Sequence, residues 1–504
     1  MQSISNNKIA KNTVLLYIRM MIVMLINLYT VRIVLRELGV EDYGIYNVVA
    51  GVITMMSSLS SVMASATQRF YSFALGKGDR GKLRAIFSVS INIFSIISLV
   101  SLLLGESVGL WFLNTQLVIP NERLIAANWI YQFSMLAFIA NMLHYPYYAA
   151  SIAHENMGLF AVVSTVDAVL KLITALAIPY VFMDHLVYYG LTLLVFHVLI
   201  FATYVFFCKK KYVECHYQFT KDRSLHRDML TFSGWTLFSS LASVGMNQVI
   251  TLLINIFFGP VVNAARAISI QVNSALSTFC NSFIMAVRPP MIKAFAEDNY
   301  DYLNKVFLIS NKFTYYCLLM VTVPLVLEMN VILRLWLGEF TPQTVLFCQL
   351  IVIYGMILSL CNPITIIVQA TGKMKYYTMY VETLTLLTPV VVYLLFKFGL
   401  AAESAFYAMI VMIILAHLVR LYCLKKIYTG FSYKVYLVKF ILPAFLVTII
   451  VALLCYYIDM QIDNVFIRFI CIVTLSVIST MLLSYLIGLD KSERAMIRSY
   501  IKLF

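Results

Sequence analysis

Residues 35–87 read LRELGVEDYGIYNVVAGVITMMSSLSSVMASATQRFYSFALGKGDRGKLRAIF, and this stretch decides the fold class. A short turn with Gly39 and Gly44 leads into residues 45–66, which carry no charge and are rich in Ser, Ala and Gly. A basic loop follows at 69–84. An uncharged apolar run of about 20 residues needs a bilayer, and basic loops stay on the cytoplasmic side. The stretch therefore predicts a membrane-spanning helix that ends in the cytoplasm.

The same plan recurs later in the chain, where residues 259–307 read GPVVNAARAISIQVNSALSTFCNSFIMAVRPPMIKAFAEDNYDYLNKVF. Both stretches have a turn glycine, a run rich in small residues, an exit that contains arginine, and a polar loop. Gly39 and Phe87 recur as Gly259 and Phe307, the same offset of 220 positions (259 − 39 and 307 − 87). This spacing predicts a parallel internal repeat, an arrangement found in many secondary transporters.

The composition excludes a water-soluble globular protein. Hydrophobic residues make up 62% and charged residues 12% of the chain, and the mean hydropathy is +0.88. Such a chain has more apolar residues than a water-facing fold can hide. Its apolar runs reach roughly 20 residues without the alternation of barrel strands. We therefore expect an all-α integral membrane protein.

The apolar runs predict about fourteen transmembrane helices. We expect two pseudo-symmetric six-helix lobes at 1–207 and 232–426, joined by a basic cytoplasmic loop at 208–231. Residues 427–504 would add two further helices and a cytoplasmic tail. The predicted spans are 13–35, 45–66, 86–111, 125–150, 158–179, 186–207, 232–257, 263–287, 306–333, 343–368, 376–396, 402–422, 440–458 and 466–488.

The basic residues predict the orientation of the chain. Most of the 37 Lys and Arg fall in the tails and in alternate loops, whereas the predicted outer loops hold only Arg36, Arg123, Arg334 and Lys397. This asymmetry places both termini in the cytoplasm. It also explains the net charge of +14 as topology, so we expect no nucleic-acid partner. The first apolar run is too long for a signal peptide, and we expect it to be retained.

A few charges within the predicted spans are the candidate functional groups. Arg19 lies about 9 Å into the first helix at 1.5 Å per residue, where it either faces a wet cavity or extends to the headgroups. The same alternatives hold for Arg32 and Arg266. Asp167 and Lys171 stand four residues apart in the fifth span, either as an intrahelical ion pair or as a coupling or gating site. The excess of cations suits an anionic headgroup such as pyrophosphate.

Other chemistries have no support in the sequence. The nine cysteines form no CxxC pair, the seven histidines show no metal-ligand spacing, and no phosphate-binding GxxxxGK[ST] loop occurs. The loops are also too short for a catalytic domain. We therefore expect no metal, no cofactor and no enzymatic activity. Any active transport would draw on an ion gradient, the membrane potential or the substrate's own gradient.

Several segments together resemble the Wzx-type polysaccharide flippases of the multidrug/oligosaccharidyl-lipid/polysaccharide exporter superfamily. The likeness covers residues from about 5 to 430 and includes the arginine of the first helix. The segments that carry it are RELGVEDYGIYNVV, ASATQRFYSFALGKGD, YYAASIAHENMGLFAVVSTVDAVLKL, FSGWTLFSSL and INIFFGPVVNAARAISIQV.

The resemblance implies a function and a set of partners. It implies alternating access that moves an undecaprenyl-pyrophosphate-linked oligosaccharide to the outer leaflet of the bacterial cytoplasmic membrane. H⁺ or Na⁺ would be the coupling ion, and a polysaccharide polymerase and a chain-length regulator would be protein partners. Arg19, Arg32, Arg69 and Arg266 would line a central cationic cavity, and the last two helices would form a groove for the lipid tail.

Two alternatives remain open at this stage. A cation-coupled multidrug exporter of the same superfamily would be expected to carry more cavity carboxylates. A membrane polysaccharide polymerase or glycosyltransferase would need a larger outer loop.

Overall fold

The computed structural model describes residues 2–115, 119–220, 222–490 and 493–494, and these residues form helices and short connections without any strand. The prediction of an all-α membrane protein is confirmed. Twelve of the described helices are long and apolar enough to cross a membrane. Two further long helices, at residues 40–76 and 260–296, coincide with the second and eighth predicted spans.

We number these fourteen helices in chain order. The bounds are α1 2–38, α2 40–76, α3 Arg80–Thr115, α4 Leu124–Ala153, α5 Met157–Ala177, α6 His185–Lys211, α7 223–258, α8 260–296, α9 Tyr300–Leu327, α10 Pro342–Thr371, α11 Met374–Lys397, α12 Ser404–Ile427, α13 Tyr433–Gln461 and α14 Val465–Gly488. A short helix, Met329–Leu337, follows α9.

Two glycines separate the helices that begin each repeat. Gly39 has φ 77° and ψ 168°, and Gly259 has φ 81° and ψ −177°. A side chain is strained in this backbone region, which is essentially confined to glycine. The sequence predicted a turn of several residues at the first position, but one glycine suffices, because helical geometry resumes at once on both sides.

The exits of the two repeats also match. Gly78 and Asp298 both adopt positive φ, at 69° and 55°. Each is followed by a residue that caps the next helix. The Asp79 carboxylate accepts from the backbone amide three residues on at 3.0 Å, and the Asn299 amide oxygen does the same at 3.2 Å. The offset of 220 seen in the sequence therefore recurs in the backbone.

The chain divides into two compact units, residues 1–237 and 238–504. In the first unit α4 packs against α6 and against the helical segment 2–76 around a core that includes Phe87, Ile130 and Tyr131. In the second unit the core includes Phe347 and Phe406, and α13 and α14 pack on α9. The predicted bounds of the lobes and of the linker remain predictions.

Candidate functional site

Arg19 lies half-buried on α1 in the first unit. Its Nε donates a hydrogen bond of 2.8 Å to Ser164 Oγ on α5. The guanidinium carbon lies 4.5 Å from the centre of the Phe160 ring, a cation–π geometry. Tyr148 and Tyr204 interact with it electrostatically. Within the described part of the chain, no carboxylate pairs with Arg19, so its charge is held by neutral groups alone.

The residues of α5 that neighbour Arg19 continue along one face of that helix. Phe160, Ser164, Asp167 and Lys171 are spaced by four, three and four residues, which places them on a single stripe. Lys171 Nζ donates to Asp167 Oδ2 at 2.7 Å. Asp167 Oδ1 is buried and accepts no hydrogen bond from any described residue. The structure therefore contains the predicted ion pair, and its role in coupling or gating remains a prediction.

Two histidines that the sequence analysis did not single out adjoin this stripe. His197 on α6 interacts electrostatically with Asp167 and Lys171. His144 on α4 lies 4.8 Å, ring centre to ring centre, from Tyr204, and it interacts electrostatically with His197. Helical spacing could not reveal them, because they come from different helices.

The other two predicted arginines of the first unit have different surroundings. Arg69, near the end of α2, is buried, and its guanidinium carbon lies 4.8 and 5.3 Å from the centres of the Phe70 and Phe232 rings. Arg32 is exposed on α1. The structure thus brings Arg19 next to the α5 stripe and places Arg32 and Arg69 elsewhere. Their assignment to substrate binding remains a prediction.

Arg266 is the most completely buried arginine of the second unit, with no exposed surface. It lies near the start of α8, where Nη2 donates to Asn247 Oδ1 on α7 at 3.0 Å. The guanidinium carbon stands 4.9 Å from the centre of the Phe406 ring on α12. Its Nε and Nη1 find no hydrogen-bond partner among the described residues. Like Arg19, it combines one neutral polar partner with one aromatic ring.

A second cation of this unit, Arg420, lies inside α12 and is 8% exposed. It interacts electrostatically with Glu382 and forms a hydrogen bond with Tyr377. Glu382 on α11 also accepts a hydrogen bond from the Ser239 hydroxyl.

Two other buried charges of the second unit, Glu328 and Lys312, are paired. Arg468 Nε donates to Glu328 Oε1 at 2.6 Å, and Glu328 is 1% exposed. Lys312 Nζ donates to Glu493 Oε2 at 2.8 Å. These pairs compensate their own charges, in contrast to Arg19 and Arg266.

The loop between α6 and α7 follows Lys211, the last residue of α6, and α7 begins at Arg223. The His154 ring stacks on Tyr212 with centres 4.2 Å apart, and its Nε2 donates to Glu214 Oε1 at 2.5 Å. Burial raises the pKa of the Glu214 carboxyl, but the hydrogen bond from His154, a backbone hydrogen bond and the charges of His154 and Arg80 together hold the pKa below its ordinary value. The pair fixes this loop against the end of α4.

No group of three or more His, Cys, Asp or Glu side chains arranged to bind a metal ion occurs among the residues that the structure describes.

Comparison with solved structures identifies the fold. A MATE transporter in the bent conformation superposes with a TM-score of 0.71 at 14% identity, covering 84% of this chain and 97% of that one. An outward-facing multidrug resistance MATE family transporter of the MOP superfamily gives 0.70 at 13% identity, with 84% and 96% covered. The Vibrio cholerae MATE transporter VcmN in the bent form gives 0.66 at 17% identity, with 85% and 100% covered. Identities this low establish the fold alone.

Comparison with curated proteins gives no match. Residues 9–296 match the family described as polysaccharide biosynthesis protein, and this match covers more than half of the chain. With its twelve candidate spans and the fold shared with MATE transporters, the chain is a multi-pass membrane protein. The chain belongs to the polysaccharide biosynthesis protein family.

Proposed function

We propose that this protein is a flippase for lipid-linked oligosaccharides. It would move undecaprenyl-pyrophosphate-linked glycan repeat units from the cytoplasmic to the outer leaflet of the bacterial cytoplasmic membrane, with both of its termini in the cytoplasm. The observation that carries this proposal is the pair of arginines, Arg19 and Arg266, each held inside its own unit without a carboxylate partner among the described residues.

An unpaired guanidinium inside a membrane protein is costly, because burial removes its hydration. Both arginines nevertheless have neutral partners. For Arg19 this holds although Asp167 lies only one turn beyond its partner Ser164 on α5. An anionic ligand that arrives during transport would supply the missing charge. A pyrophosphate group offers several acceptor oxygens, and two of them can accept from the planar, forked donors of one arginine.

The amphiphilic substrate explains why such a fold is needed. The sugars and the pyrophosphate cannot cross hydrocarbon unaided, whereas the polyprenyl chain gains nothing by leaving it. A protein that shelters the headgroup and leaves the chain in lipid meets both conditions. Alternating access would then expose the headgroup to one side at a time. Asp167 and Lys171 are the proposed sites of coupling to H⁺ or Na⁺.

A cation-coupled multidrug exporter is the second candidate. Two observations favour it, namely the fold shared with MATE transporters and the Asp167 oxygen that accepts no hydrogen bond from a described residue. A cationic drug would be repelled by an unpaired Arg19 and Arg266. The excess of unpaired positive charge therefore favours the anionic lipid.

Replacement of Arg19 tests the proposal. Arg19→Ala removes both the charge and the contact with Phe160, and we expect it to abolish surface polysaccharide in a strain that lacks the native gene. Arg36→Ala is the matched control on the same helix, because the Arg36 side chain is 74% exposed and pairs with the adjacent Glu37. Immunoblots of membranes would show that both variants accumulate normally. Full complementation by Arg19→Ala would remove Arg19 from the mechanism.

A further inference from the structure

The carboxyl-terminal segment places a carboxylate on a fully buried lysine. Lys312 lies 12 residues into α9, about 18 Å along the helix from Tyr300 at 1.5 Å per residue, and it is 1% exposed. Its Nζ donates to Glu493 Oε2 at 2.8 Å. Glu493 follows the end of α14 and is itself buried. The two residues stand 181 positions apart, so the contact joins the chain's end to the interior of its second unit.

Lys312 is accompanied by a second donor that has no acceptor. Tyr316 stands one helical turn further along α9, on the same face as Lys312. Its side chain is 4% exposed, and its hydroxyl forms no hydrogen bond with any described residue. The hydroxyl also interacts electrostatically with Glu493. A buried ammonium and a buried hydroxyl thus adjoin a single carboxylate, although together they could bind a group with more acceptor oxygens.

The segment that carries Glu493 rests on α9 through a close backbone approach. A Cβ atom built on Gly488 would lie 2.3 Å from the Tyr316 hydroxyl oxygen and 2.7 Å from Cζ. Lys439 Nζ donates to Asp490 Oδ2 at 3.2 Å, with both side chains about half exposed. Arg494 donates to the carbonyl oxygens of Leu489 and Leu486. Within the described residues 488–490 and 493–494, Gly488 and Glu493 contact α9.

We propose that Lys312 and Tyr316 form a binding site for a lipid-borne phosphate, and that the protein's own Glu493 occupies this site until such a lipid displaces it. A carboxylate is the side-chain group that most resembles a phosphate as an acceptor for lysine. A buried ion pair adds little net stability, so stability alone does not account for a lysine at this depth. The site adjoins α13 and α14, which pack on α9 and have long apolar exposed faces suited to an acyl or prenyl chain.

The lipid has two possible sources, and both supply a phosphate group to Lys312 and Tyr316. One is the undecaprenyl pyrophosphate of the substrate, in which case the site deepens the proposed function as a docking point for that lipid. The other is an ordinary anionic phospholipid of the bilayer. In a membrane that contains such lipids, it would keep Glu493 away from Lys312. The two differ in phosphate charge and chain type, so binding can separate them.

The test measures lipid binding to the full-length protein in nanodiscs of phosphatidylcholine. The probes are undecaprenyl pyrophosphate and, separately, phosphatidylglycerol, each quantified by native mass spectrometry. Glu493→Gln keeps the shape and the hydrogen bond but removes the competing charge, and we expect binding on the order of tenfold tighter. Lys312→Gln should weaken binding by at least tenfold. Glu339→Gln, on an exposed loop, is the control and should change nothing.

A second variant displaces the segment that carries Glu493 without altering any charge. Gly488→Val places methyl groups against the Tyr316 ring and should lift the segment, so it should reproduce the tighter binding of Glu493→Gln. Tighter binding of undecaprenyl pyrophosphate than of phosphatidylglycerol assigns the site to the substrate, and the reverse order assigns it to bulk lipid.

Unchanged or weaker binding by both Glu493→Gln and Gly488→Val, with lowered melting temperatures, would overturn the proposal. Glu493 would then have a structural role. Because binding is read without transport, a protein that binds as predicted but flips no glycolipid would refute the proposed function and leave this site standing.

Discussion

Replacing Arg266 by methionine should make the protein more stable and transport-deficient at the same time. Arg266 is completely buried, has one hydrogen bond, to Asn247, and lies over the Phe406 ring. Methionine fills a similar volume without a charge and packs well against an aromatic ring. The substitution therefore removes a burial cost that no carboxylate among the described residues offsets.

The magnitude follows from three opposing contributions. Burying an ion costs several kcal/mol after relaxation, taken here as about 5 kcal/mol. Against this stand a desolvated cation–π contact of about 2 kcal/mol and one charged hydrogen bond of about 2 kcal/mol. The balance predicts that Arg266→Met is more stable by about 1 kcal/mol, while transport falls at least tenfold. Thermal unfolding in detergent and glycolipid flipping in liposomes measure the two effects on one preparation.

Arg468→Met is the matched control, because this arginine does have a carboxylate partner. Its loss leaves Glu328, which is 1% exposed, without its hydrogen bonds of 2.6 and 3.2 Å. Breaking such a pair costs about 3 kcal/mol, the low end of the usual range, since Arg468 is a quarter exposed. The two substitutions should therefore shift the melting temperature in opposite directions. A marked loss of stability in Arg266→Met, or normal flipping by it, would refute the reasoning.

Two further predictions concern the backbone and the cytoplasmic loop. Gly259→Ala should destabilise the fold by about 1–3 kcal/mol, because the positive φ at this position strains any side chain. The control Gly245→Ala, in the helical part of α7, should not destabilise it. Equal melting temperatures of the two variants would contradict this prediction. Glu214→Gln should be less stable than the wild type at pH 6. Because the native pKa of Glu214 lies below its unfolded value of about 4.5, its contribution is present above that pH and is lost as the pH falls through the native pKa. The difference in melting temperature should shrink as the pH falls below about 4.5, and a difference independent of pH would assign the effect to packing with His154.

The periodic features of this chain could be predicted from the sequence because they depend on neighbours in the chain. Apolar length located the helices, and the pair Asp167 and Lys171 followed from helical spacing. The internal repeat was visible because Gly39 and Gly259 are required by backbone geometry, which keeps them at matched positions. What the sequence could not show is that one glycine replaces a whole turn, since hydropathy does not record φ.

Contacts between distant helices escaped the sequence analysis for the same physical reason. Nothing in the neighbourhood of Lys312 indicates Glu493, and nothing near Arg420 indicates Glu382 or Tyr377. The candidate site was therefore predicted only as a set of cations in spans. Only the structure shows which of these cations have a carboxylate partner. Among the described residues Arg468 has one and Arg266 has none.

The most direct test of the central claim is flipping by the purified protein. Liposomes would contain the protein and the undecaprenyl-pyrophosphate-linked glycan extracted from the source organism, and a membrane-impermeant glycosidase would report on headgroup exposure. We predict that exposure accelerates relative to protein-free liposomes and depends on a proton or sodium gradient. No acceleration by protein shown to be folded would contradict the account and favour a multidrug exporter.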